Sequence, residues 1–174
     1  MQEFDFSGKT PDRSVQLVFF KMDGRSFAVD VLEVMGIERI EHGVTRVPKS
    51  APFVEGVFNL RGEIIPLVDL RIRFGFSLAE KNENSRIVIL EHQGNPVGML
   101  VDGVPQVQRL SEYDITPVDG AVFNINPWFI RGVIGEGQQT TILLNIDRAL
   151  TPQEPEPEES EKGLTEGLAE AEVQ

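Results

Sequence analysis

The side chains able to do chemistry in this chain are few and poorly arranged for it. Cysteine is absent, so disulfides, thiolate metal sites and cysteine nucleophiles are excluded. His42 and His92 are the two histidines, and they share no ligand spacing. His92 falls near a predicted turn and His42 in a connector, where a solvated side chain is the ordinary occupant. No G-x-S-x-G elbow occurs, and Gly132-Val133-Ile134-Gly135-Glu136-Gly137 lacks the spacing of a phosphate loop. Asp30, Asp69 and Asp102 each follow an apolar run. Two such carboxylates meeting in a cleft would suggest a small β-barrel hydrolase. Capping of turns and strand ends explains them better. The expectation is a chain without catalytic residues, metal ligands or cofactor.

One segment has a different character. In Phe53-Val54-Glu55-Gly56-Val57-Phe58-Asn59-Leu60-Arg61-Gly62-Glu63-Ile64-Ile65-Pro66-Leu67-Val68-Asp69-Leu70, Arg61-Gly62 separates two apolar strands. The plain reading is a hairpin turn with an exposed arginine. An arginine on a rigid turn is also suited to partner recognition, because its planar fork holds carboxylates or carbonyls in two places at once.

The elements that must hold this segment come from an internal repeat. Phe53–Phe58 and Pro66–Leu70 match Phe129–Ile134 and Ile142–Ile146 at a constant offset of 76. Gly24, Val31, Val34, Ile37, Arg39 and Ile40 match Gly94, Val101, Val104, Val107, Arg109 and Leu110 at an offset of 70. The matched segments alternate along the chain, as a duplicated two-part unit requires. Apolar runs flank Asp23-Gly24 and again Gln93-Gly94-Asn95, which predicts one hairpin in each unit. Asp102-Gly103 is expected to be a bulge within a continuing strand. Pro48, Pro52, Pro66, Pro105, Pro117 and Pro127 break up any long helix. Short helical turns are expected at Ser50–Val54, Asp69–Phe74 and Ile146–Leu150. The fold class is all-β, two small barrels side by side.

The formal net charge is −12. Eight Glu and one Lys after Thr151 supply −7 of it and leave −5 on the body. A mildly acidic body with one Trp and one Tyr argues against nucleic-acid binding. No apolar run is long enough to insert in a membrane, so a soluble cytoplasmic protein is expected. Residues 1–14 are expected to be flexible, with Phe4 and Phe6 as local anchors. Residues 151–174 read as a disordered acidic tail whose role is to solubilise rather than to interact.

The Asn59-Leu60-Arg61-Gly62 segment with its trailing Pro66-Leu67-Val68-Asp69-Leu70 closely resembles the signature of the CheW family, the coupling proteins of bacterial chemotaxis. The resemblance spans nearly the whole body, from the Leu17–Val31 hairpin to Ile142–Ile146, and defines a CheW-like domain over 15–150. It implies two intertwined five-stranded barrels and an adaptor with no reaction of its own. The partners it implies are the regulatory domain of the histidine kinase CheA and the cytoplasmic tip of methyl-accepting chemoreceptors. Other CheW-like domains, packed end to end in rings, are a third, and the implied location is a membrane-associated receptor array. Carried across by position, the partner-binding residues are Val34, Gly56, Arg61, Gly98 and Val104. The family usually has a glutamate two residues after Val34, near the turn arginine. This chain has Gly36 there, which leaves Arg61 either unpartnered or served by Glu38. A related role in a non-flagellar chemosensory pathway, such as twitching, biofilm formation or development, is the alternative.

Overall fold

The computed structural model describes residues 13–41, 43–78, 80–103 and 105–152. The expectations for residues 1–12, for His42 and for the segment from 153 to 174 fall outside these, as does the one for Val104. Eleven strands alternate with short helical turns: β1 Ser14–Met22, β2 Arg25–Asp30, β3 Val34–Arg39, β4 Val54–Leu60, β5 Glu63–Val68, α1 Leu70–Phe74, β6 Arg86–His92, β7 Asn95–Val101, β8 Gln106–Ser111, β9 Ile115–Thr116, β10 Ile130–Ile134, β11 Thr141–Leu144 and α2 Ile146–Leu150. They form two barrel-like sheets, ordered β8-β1-β2-β11-β10-β9 and β3-β6-β7-β5-β4.

The duplication is visible in the pairing registers. Gly56 pairs with Leu67 and, at an offset of 76, Gly132 pairs with Leu143; both glycines follow a bulge. The Asp69 N–H donates to the Phe53 carbonyl at 2.8 Å, and Asn145 N–H donates to Phe129 at 2.9 Å. Even the short edge piece recurs, because Thr45 bridges Val57 where Thr116 pairs with Val133. The parallel pairs show how the units combine. Leu67 sits opposite Gly98, and Leu143 opposite Ala28. Each barrel therefore takes its central hairpin from the other half of the repeat, and neither is a contiguous piece of chain.

Intertwining gives the strands two buried faces. In β1, Leu17 and Phe19 point into one barrel, while Val18, Phe20 and Met22 join the core shared by both. In β6, Ile87 and Ile89 fill the other barrel and Val88 and Leu90 face the shared core. The shared core also takes Phe27, Phe74, Met99, Phe129 and Ile142, so most apolar burial lies between the barrels. Strands buried on both faces read as continuous apolar runs, which is why they showed no clean alternation.

Three tight turns use the same backbone. Asp23-Gly24, Arg61-Gly62 and Gln93-Gly94 have positive φ at both central positions, with values from 50° to 88°. These are the type I′ turns whose twist matches that of the flanking strands. Asp69 and Asn145 cap α1 and α2, their side chains accepting from Arg71 N–H and Arg148 N–H.

Three local expectations are corrected. Ser50–Val54 forms a plain turn, and β4 begins at Val54; Pro52 leaves no N–H for a helical ladder. Asp102-Gly103 is a bend between β7 and β8, not a bulge in one strand, because Asp102 leaves the sheet to bond with the first hairpin. Its N–H donates to the Lys21 carbonyl at 2.8 Å, and its carboxylate accepts from Asp23 N–H at 2.8 Å. Ser14, inside the segment expected to be flexible, already belongs to β1 and pairs with Ser111.

Candidate partner-binding site

The β4–β5 turn lifts Arg61 off the sheet. Both turn residues lie in the left-handed region, and the Asn59 side-chain oxygen accepts from Gly62 N–H at 2.9 Å, which pins the loop. The Arg61 side chain is 82% exposed, and its Nη2 lies 3.3 Å from Glu38 Oε1. Glu38 stands on β3, at the far edge of the same sheet, so barrel curvature alone brings the two strands together. Of the two outcomes expected for Arg61, the contact with Glu38 is the one that forms. An exposed pair of this kind contributes little to stability, about 0–1 kcal/mol. Its effect is to hold the guanidinium fork in one place.

Beside the turn lies a groove of about 600 Å³, lined by Glu38, Ile40, Phe58, Leu60, Arg61 and Ile87 among others. Its floor is apolar and its rim charged. In the other barrel the corresponding β10–β11 connection is a longer loop with a helical turn at Gly137–Gln139. The rigid arginine turn is therefore a feature of one barrel alone.

The remaining site residues lie elsewhere. Gly98 is buried in β7, and a Cβ there would stand 2.8 Å from Ile87 Cγ2 and 2.8 Å from Phe58 Cε1, two side chains of the groove floor. Gly56 is buried in β4, where a Cβ would stand 2.3 Å from the Thr45 carbonyl oxygen. Neither offers a side chain or an exposed surface; both set the shape of strands that carry the groove. Val34 is half-buried and packs against the shared core rather than beside Arg61.

The three carboxylates have definite partners. Asp69 is buried, its oxygens accepting from Arg71 Nε at 3.0 Å and Nη2 at 3.2 Å. Asp102 takes the remaining arm of Arg71 through Nη1. Burial alone would lower the Arg71 pKa, but hydrogen bonds and charges from Asp69 and Asp102 outweigh it and leave the guanidinium above its ordinary value. Two carboxylates clamped on one arginine are not poised as an acid and a base. Asp30 instead caps the turn at Val31–Glu33 and lies 3.5 Å from Arg131. His92, expected to be solvated, is mostly buried, with Nδ1 3.6 Å from Asp147. Among the described residues no cluster of His, Asp or Glu could hold a metal ion.

Arg71 was not singled out by sequence reasoning, although a signal existed. Asp69 and Arg71 sit one residue apart at the end of an apolar strand, where two isolated charges would be costly unless they met.

Among the described residues, Glu33 carries a raised carboxyl. Burial raises its pKa first, the Asp30 charge adds to this, and Arg131 only partly opposes them. A folded pKa above the unfolded one means that the native state binds the proton more tightly. Stability therefore falls as pH rises from the ordinary glutamate value, about 4.3, through the raised native value. Glu33→Gln removes this loss, so its advantage over the parent should grow across that window and level off once the pH has passed the raised native value. Urea melts at a series of pH values check this; a constant difference between the two proteins would refute it.

Comparison with known proteins follows the same outline. The CheW-like domain family matches residues 16–154. The chain is 30% identical over 139 residues to "Chemotaxis protein CheW" of Klebsiella aerogenes, covering 80% of this chain and 83% of the relative. It is 35% identical over 141 residues to the protein of that name from Thermotoga maritima, covering 79% and 89%. Among solved structures, the scaffolding protein TtCheW from Thermoanaerobacter tengcongensis superposes with a TM-score of 0.71 at 28% identity, over 86% of this chain and 94% of the other.

Proposed function

Because the chain belongs to the CheW-like domain family, we propose that it is a non-enzymatic scaffold of bacterial chemotaxis. In this reading it couples the cytoplasmic tip of methyl-accepting chemoreceptors to the regulatory domain of the histidine kinase CheA, and it binds other CheW-like domains. It works in the cytoplasm at receptor arrays; among the described residues no helix is long and apolar enough to cross a membrane.

The observation that carries the reading is the Arg61 turn, a guanidinium held outward by Glu38 beside an apolar-floored groove. Exposed arginine beside buried apolar contacts is typical of the few residues that dominate interface energies. Gly56 and Gly98 contribute through strand shape and Val34 through apolar contact, and Val104, outside the described residues, is proposed with them.

Titrating the parent and Arg61→Ala against a receptor-tip fragment and the kinase regulatory domain tests this. The variant should lose roughly 1 kcal/mol or more of binding free energy to at least one partner, about a fivefold or greater rise in Kd. Its melting temperature should stay unchanged, because the side chain is exposed. Unchanged affinity for both partners with a lowered melting temperature would mean that Arg61 only pins its own turn.

A further inference from the structure

The outer face of β3 carries apolar side chains where an antiparallel strand facing water ordinarily carries polar ones. Its residues alternate between half-buried and exposed, and two of the exposed positions hold Met35 and Ile37, at 60% and 40%. Leu32, on the turn just before the strand, is 87% exposed. A bulge shapes this face. Val34 pairs with Leu90 and Gly36 with Ile89, so Met35 is the extra residue, without an opposite number on β6. A bulge bends its strand and re-aims the side chain it carries. The space beside Met35 is open as well, since a Cβ at Gly36 would meet nothing within 4 Å.

Met35 is also the sulfur within reach of an oxidant. The chain has four methionines and no cysteine. Met22 and Met99 are fully buried in the core shared by the barrels, and Met1 lies outside the described residues. No thiolate competes for the oxidant, and packing shields the two core thioethers. The reaction with hydrogen peroxide is a transfer of one oxygen atom. A sulfur lone pair attacks one peroxide oxygen, and the S–O bond forms as the O–O bond breaks. The leaving hydroxide takes the proton of the transferred oxygen and departs as water. Sulfur gives up two electrons and the peroxide is reduced by them. The thioether, apolar and pliable, becomes a polar, chiral sulfoxide.

We propose that Met35 is a redox-modification site, at which peroxide converts the thioether to the sulfoxide and so weakens, reversibly, the docking of a partner on Val34. This rests on the scaffold reading, in which Val34 makes apolar contact with a partner. Met35 follows Val34 in the chain and stands further out, so a surface that covers Val34 meets Met35 on the way. Covering a sulfoxide with apolar groups strips its water and returns no hydrogen bond, which is costly. Sulfoxide reductases reverse the change, so the device resets.

The full chain is treated with hydrogen peroxide, and its peptides are weighed over time. Met35 should gain one oxygen well before Met22 and Met99 do. The singly oxidised protein is then titrated against the receptor-tip fragment and the kinase regulatory domain. Its Kd for at least one of them should rise about fivefold or more, with the melting temperature unchanged, and should return after treatment with a methionine sulfoxide reductase. Met35→Leu keeps the volume without the sulfur. It should bind as the untreated parent does and ignore peroxide. Oxidation of Met22 or Met99 as fast as Met35 overturns the site. Unchanged affinity for both partners after oxidation at Met35, or an equal loss in peroxide-treated Met35→Leu, overturns the effect on docking. An untreated parent that binds neither partner refutes the scaffold reading and the docking effect together, while the order of oxidation still decides the site.

Discussion

Replacing Arg71 with alanine should cost roughly 3–5 kcal/mol of folding stability, the range for a buried ion pair stripped of one partner. Arg71 is 1% exposed and Asp69 5% exposed. Removing the guanidinium leaves Asp69 without its counter-ion in a site closed to water, and leaves Asp102 on one backbone donor. The contact also ties separate parts of the fold. Asp69 and Arg71 belong to the α1 end of one unit, while Asp102 follows β7 and holds the β1–β2 turn through Asp23. Loss of Arg71 therefore loosens the joint between α1 and both exchanged hairpins. The triple variant Arg71→Met/Asp69→Asn/Asp102→Asn separates charge from packing. It should recover much of the loss, because no uncompensated charge remains. Chemical denaturation of the three proteins measures this. An Arg71→Ala loss under about 1 kcal/mol, within the range of ordinary surface changes, would contradict the clamp.

The second large effect is expected at Gly56. A methyl group there would stand 2.3 Å from the Thr45 carbonyl oxygen and 2.9 Å from Val44 Cγ1. The first obstacle is backbone, held in place because Thr45 N–H donates to the Val57 carbonyl at 2.9 Å and Val57 N–H donates back at 2.8 Å. No rotamer change relieves such a contact, so Gly56→Ala must break or shift the bridge. Overpacking of this kind costs about 1–3 kcal/mol or more. The repeat supplies an internal control. At Gly132 the nearest obstacle is Ile115 Cγ2 at 2.6 Å, a side-chain methyl that can turn aside, with the Thr116 carbonyl oxygen at 3.1 Å. Gly132→Ala should therefore be the milder of the two. Equal losses would mean that the Thr45 strand yields as easily as a side chain.

These two variants also bear on how the partner-binding residues are interpreted. A Gly56 substitution that abolishes coupling through unfolding says nothing about a contact surface. Arg61→Ala, which leaves the fold alone, does. Binding losses at Gly56 and Gly98 should scale with lost stability, while the loss at Arg61 should not.

The sequence by itself determined the duplication, the hairpins at Asp23-Gly24 and Gln93-Gly94, the two short helices and the exposed Arg61 turn. All of these are local: a pair of positive-φ residues, a capping Asp69 or Asn145, a proline that stops a ladder. The repeat offsets then placed Gly56 opposite Gly132 without any knowledge of contacts. Three things were decided by tertiary structure. The hairpins are exchanged between barrels because the parallel pairs β2–β11 and β5–β7 join strands distant in sequence, and no local rule selects one partner for such a pair. The Glu38–Arg61 contact arises from curvature that brings opposite edges of one sheet together. The Asp69–Arg71–Asp102 clamp likewise depends on burial, and a carboxylate in the sequence looks the same whether it caps a turn in water or closes on an arginine out of it.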